Sequence, residues 1–89
     1  MYDYVKVISS EQETHITLAY SEPQNGARQI EYACDKRHNL FTKTSTLVTG
    51  ETKSEHITPQ EFAYAFGSAV GVMSRAVPND TISEREKGQ

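Results

Sequence analysis

His15, Cys34, Asp35, His38 and His56 are the side chains whose chemistry could hold a metal ion or activate a nucleophile. Structural zinc wants four ligands, usually delivered as two close pairs. Cys34 and His38 lie four positions apart across a polar turn, and the other two histidines fall on separate elements. The spacing reads as unrelated histidines, so neither a metal nor another cofactor is expected. Lys36 and Arg37 could favour a thiolate at Cys34. Its alternation with Ile30 and Tyr32 points instead to a small buried hydrophobe.

Lys36, Arg37 and His38 form a compact basic turn, with Lys43 nearby in sequence. Such a turn could contact a phosphate backbone or an acidic protein surface. No aromatic interleaving or recognition helix accompanies it, and the formal charge of −3 lacks the basic footprint of a nucleic-acid binder. The chain contains no G-x-G-x-x-G, Walker A, G-x-S-x-G, H-E-x-x-H, C-x-x-C or EF-hand motif. Each supplies a geometry that a reaction requires, so catalysis is not expected. Asn79-Asp80-Thr81 matches the glycosylation pattern. Without secretion that match is accidental.

The elements that position these residues are legible from periodicity and turn chemistry. Residues 2–9 read as a strand with Val5 and Val7 opposed to Tyr4, Lys6 and Ile8. Residues 14–20 alternate, with Ile16, Leu18 and Tyr20 facing away from His15, Thr17 and Ala19. Asn25-Gly26 is the favoured pair for a type I′ hairpin turn, because both positions need positive φ. Residues 27–34 alternate again, with Ile30, Tyr32 and Cys34 on one side. A fourth strand from Leu40 to about Thr49 is rich in threonine and can bury little, which places it at a sheet edge. Residues 50–55 read as a loop.

One helix is written clearly. Thr58 at the N-cap, Pro59 at N1 and Glu61 at N3 make a capping box, and Ile57 and Phe62 make a hydrophobic staple. The helix is expected from Pro59 to about Ala76, ahead of Pro78. Its apolar stripe reads Phe62, Phe66, Ala69, Val70, Met73 and Val77, and this face should lie on the sheet. Gly67 and Gly71 sit inside this helix, where each costs about 0.8–1 kcal/mol relative to alanine. On the helical wheel they lie away from the centre of the phenylalanine stripe, near Ala63, Tyr64, Ser74 and Arg75. Solvent does not reward glycine there. Close approach by another backbone does, whether from a segment of the same chain or from a partner.

A chain of 89 residues makes one domain with one thin core. The expected boundaries are a single α+β domain over 1–78 and a polar, mobile tail over 79–89. A single cysteine allows no internal disulfide, and the N-terminus lacks the pattern of a signal peptide. The longest uncharged run, Phe62 to Ser74, is 13 residues, short of the roughly 20 that span a bilayer. A cytoplasmic location without membrane contact is the expectation.

The expected architecture is α+β, a four-stranded antiparallel meander with one C-terminal helix packed on one face. In size and element order it is similar to small accessory and inhibitor proteins of phages and mobile elements. The resulting expectation is a non-catalytic protein-binding module, an inhibitor or regulator that occupies a surface of a larger macromolecule. The partner-binding candidates are Tyr64, Gly67, Ser68, Gly71 and Arg75 on the helix and Lys36, Arg37 and His38 on the turn. A homodimer is expected through the helix surface, the threonine-rich edge strand, or both. The alternative function is a nucleic-acid-binding accessory protein using the basic turn.

Overall fold

A computed structural model describes residues 2–76. Five antiparallel strands, β1 (Tyr2–Ser9), β2 (Glu13–Gln24), β3 (Ala27–Asp35), β4 (Leu40–Leu47) and β5 (Thr52–His56), follow one another across the sheet in chain order. A single helix, α1 (Pro59–Ala76), lies across one face and touches β1 to β4. The two layers explain a slab of 36 × 33 × 20 Å. The α+β class, the antiparallel sheet and the helix all match the sequence reading.

The turns form where local chemistry allows them. Asn25 and Gly26 hold φ of 52° and 82°, the double positive φ of a type I′ turn. Between β1 and β2, the Ser10 N–H donates to the Glu13 carbonyl at 2.8 Å, while Ser10 Oγ accepts from the amides of Gln12 and Glu13. Between β3 and β4, Asp35 accepts from the amides of Arg37 and His38, and Asn39 takes φ of 54°.

Two expectations need correction. The sheet has five strands, because residues 52–56, which overlap the loop expected over 50–55, pair with β4 from Thr42↔His56 to Thr46↔Thr52. The hairpin turns at Gly50, whose φ of 98° suits a residue without Cβ, and the Glu51 carbonyl accepts from the Leu47 amide at 2.7 Å. β5 has no large apolar residue, so its sequence carries no alternating signal; pairing with β4 alone makes it a strand. The threonine-rich β4 is consequently interior, and β5 takes the edge.

The second correction concerns the helix. Phe62, Ala65 and Ala69 are its buried positions, whereas Phe66 is 40% and Val70 37% exposed. The axis is rotated so that the small Ala65 replaces the larger Phe66 at the interface. The layers can then close on Ile16, Leu18 and Cys34. Val77, Pro78 and the tail expected over 79–89 lie outside the described residues.

The helix start follows the capping-box reading. Thr58 N–H donates to Glu61 Oε1 at 3.0 Å, and Glu61 N–H donates to Thr58 Oγ1 at 3.1 Å. Ile57 and Phe62 both join the core, and Phe62 meets Phe41 of β4 with ring centroids 5.5 Å apart. Thr14, the buried polar residue of this layer, is satisfied by Ser9 Oγ at 2.8 Å. No helix among the described residues is long and apolar enough to cross a membrane.

Candidate functional site

Three surfaces carry the candidate residues. The first is the outer face of α1. At about 100° per residue, Gly67 and Gly71 project opposite the buried line of Phe62, Ala65 and Ala69. Tyr64, 79% exposed, borders them on one side, and Val70 and Phe66 lie toward the other. A Cβ built on Gly67 would meet nothing within 4 Å; on Gly71 it would meet only the tip of Arg75, at 3.3 Å. Among the described residues, then, no other segment crosses the glycines. The structure brings Tyr64, Gly67, Ser68, Gly71 and Arg75 onto one surface with a shallow valley between apolar margins.

The second is the basic turn. Lys36 folds back onto the β1–β2 loop, its Nζ donating to the Ser10 carbonyl at 2.7 Å. His38 Nδ1 lies 2.9 Å from Asp35 Oδ2. That contact, helped by the amides of His38 and Arg37, holds the Asp35 carboxyl below its ordinary range. Of the three basic residues, only the Arg37 side chain makes no hydrogen bond or ion pair among the described residues. The turn borders an open cleft of about 330 Å³ lined by Cys34, Arg37, His38, Leu40 and Thr42 among others. Cys34 is buried behind it and packs in the core.

The third is the sheet face away from α1, where the register stacks Tyr4, Ala19, Gln29, Thr46 and Thr52 in one row. The next rows are Lys6, Thr17, Glu31, Thr44 and Ser54, then Ile8, His15, Ala33, Thr42 and His56. Hydroxyls dominate the β4–β5 half, and Thr44 Oγ1 and Ser54 Oγ bond at 2.9 Å.

His15 is clamped on this face. Its Nε2 lies 2.6 Å from Glu13 Oε1 and its Nδ1 2.8 Å from Glu31 Oε2. With both ring nitrogens donating, the imidazolium is favoured: the Glu13 bond raises the His15 pKa most, partial burial opposes it, and Glu31 adds to the rise. The carboxylates sit at opposite ends of the ring, so their lone pairs do not converge with it on one point. His56 shares the row but is three strands away, about 14 Å at ordinary strand spacing. No group of three His, Cys, Asp or Glu among the described residues is arranged to hold a metal ion.

The sequence reading missed this clamp. Glu13 and His15 share a face by period 2, which was readable. Glu31 was not. An unbroken ladder from the Asn25-Gly26 turn would set His15 opposite Lys36, but an irregularity between Ala19 and Gln24 sets it opposite Ala33, diagonal to Glu31.

No family model matches this chain, and neither curated proteins nor solved structures provide a significant match.

Proposed function

We propose that this chain is a non-catalytic protein-binding module that occupies a surface of a larger macromolecule, in the manner of an inhibitor or regulator. The outer face of α1 is the surface it uses. One observation carries the reading: Gly67 lies open on a helix between Tyr64 and Val70, both exposed. Glycine at such a position costs about 0.8–1 kcal/mol against alanine. Water does not offset that cost, whereas a partner backbone seated in the valley does, because the missing Cβ lets two backbones approach. Tyr64 offers a rigid, amphipathic ring at the margin of that contact.

The alternative, a nucleic-acid-binding accessory protein using Lys36, Arg37 and His38, has less support. Lys36 is spent on the Ser10 carbonyl and His38 on Asp35, which leaves Arg37 to supply the charge. The net charge of −3 adds nothing to it.

Affinity capture with the full chain from its native source distinguishes the two. The proposal expects a protein that stays bound as salt is raised and is lost with Tyr64→Ala or Gly67→Leu, both at exposed positions. A captured nucleic acid released steeply by salt, or a protein indifferent to both variants, overturns it. Gly67→Ala should raise the stability of the free subunit by about 0.8–1 kcal/mol in thermal unfolding. A loss of stability would mean that the glycine serves the fold instead.

A further inference from the structure

The sheet has two outer edges, and among the described residues nothing pairs with either. β5 has five residues, all exposed, with Lys53 and Glu55 among them. A short charged strand is how proteins keep an edge from recruiting another chain. β1 has eight residues, no proline, and apolar side chains on both faces: Val5 and Val7 toward α1, Tyr4 and Ile8 on the open face at 47% and 54% exposed. Its protection is limited to Asp3, where the register slips against β2, and to the single charge of Lys6; from Tyr4 to Ile8 the edge is regular and otherwise apolar.

The direction of its backbone groups follows from the turn beside it. The Ser10–Glu13 hydrogen bond closes the β1–β2 hairpin. In an antiparallel ladder, bonded and non-bonded pairs alternate from there. Ile8, Lys6 and Tyr4 therefore exchange hydrogen bonds with His15, Thr17 and Ala19, and the amides and carbonyls of Val5 and Val7 point outward.

We propose that β1 pairs with β1 of a second copy of this chain, antiparallel about a two-fold axis through Val5, to make one continuous ten-stranded sheet with both helices on the same side. Over the regular stretch of β1, an axis perpendicular to the sheet sets Tyr4 opposite Lys6 on the open face and Val5 opposite itself on the covered one; the register slip between Tyr2 and Tyr4 ends the matched stretch before Tyr2. Centring on Val5 makes Val5 a bonded pair with itself and places Lys6 against the Tyr4 ring of the partner, twice by symmetry. Centring one residue further along sets Lys6 against Lys6, a like-charge pair that sheets disfavour. The proposal is independent of the partner assigned to the outer face of α1. It also replaces β4 as the edge available for dimerisation, since β5 covers β4.

Sedimentation of the full chain tests it. The expected mass at tens of micromolar is twice the 10.0 kDa of one chain. Val5→Pro removes an outward N–H without touching the β1–β2 ladder, and should yield a monomer. Tyr4→Lys, at an exposed side chain, sets lysine against Lys6 and should weaken the dimer by about tenfold or more while the subunit stays folded. If Val5→Pro fails to fold, Tyr4→Lys decides. Oxidising the double variant Tyr4→Cys, Lys6→Cys should give a covalent dimer, and Lys6→Cys alone should not. Amide exchange at Val5 and Val7 should slow in the dimer and quicken on dilution. A monomeric wild type, a dimer indifferent to both edge variants, cross-linking through Lys6→Cys alone, or protection that ignores dilution would each overturn the proposal.

Discussion

Ile16 and Thr17 are adjacent on β2, yet Ile16 is fully buried under α1 and Thr17 faces out between Lys6 and Glu31. The covered face of the sheet is held by apolar area: Val5, Val7, Ile16, Leu18, Tyr32, Cys34 and Phe41 meet Phe62 and Ala69. On the open face the visible links are polar, the Thr44–Ser54 bond and the Glu13–His15–Glu31 clamp. Burial there is only partial, so those contacts compete with water and each contributes little. One helix can cover one face; the other is left to side chains that tolerate solvent while keeping strand propensity, which is what threonine does.

The widest separation between the faces should appear in a pair of alanine variants. Ile16→Ala deletes a wholly buried side chain and should cost about 2–5 kcal/mol in denaturant unfolding. Thr17→Ala beside it should change stability by no more than about 0.5 kcal/mol. Comparable losses at the two positions would mean that the open face is packed as tightly as the covered one.

A smaller effect should follow from loosening the cover rather than the core. Thr58→Ala removes the acceptor for the Glu61 amide and should cost about 0.5–2 kcal/mol. Thermal unfolding that shows no loss would place the energetic start of the helix elsewhere.

The smallest expected effect belongs to the open face. Because the folded-state pKa of His15 is raised above 6.5, the clamp's contribution is fully present below about pH 6.5 and is lost as pH rises through the folded value. With His15 half-exposed, the slope should be shallow. His15→Gln should flatten the pH dependence of unfolding over that window, and a proton NMR titration should place the His15 midpoint above the ordinary 6.5. A midpoint at or below 6.5 would dissolve the clamp.

What could be read along the chain was local. Alternation marked β1, β2 and β3 and assigned their two faces, Asn25-Gly26 carried its own positive φ, and Thr58 to Phe62 wrote both cap and staple. Each of these signals involves residues within a few positions of one another, and local sterics and hydrogen bonding suffice to determine them. The outer-helix surface was legible in the same way, since Gly67 and Gly71 are costly wherever the helix sits.

Tertiary structure decided the rest, because the deciding partners are remote. β5 became a strand through hydrogen bonds to β4, which no periodicity in Thr52 to His56 announces. That pairing moved β4 inside and left β1 as the long apolar edge. The rotation of α1 depended on how closely a helix can approach Ile16 and Leu18, and Ala65 allows what Phe66 does not. The His15 clamp depended on a ladder irregularity between Ala19 and Gln24, which changes the residues facing each other without changing the alternation on either strand. Period and turn chemistry are properties of neighbours in sequence, whereas register, edge and rotation belong to pairs of elements and arise only when those elements pack.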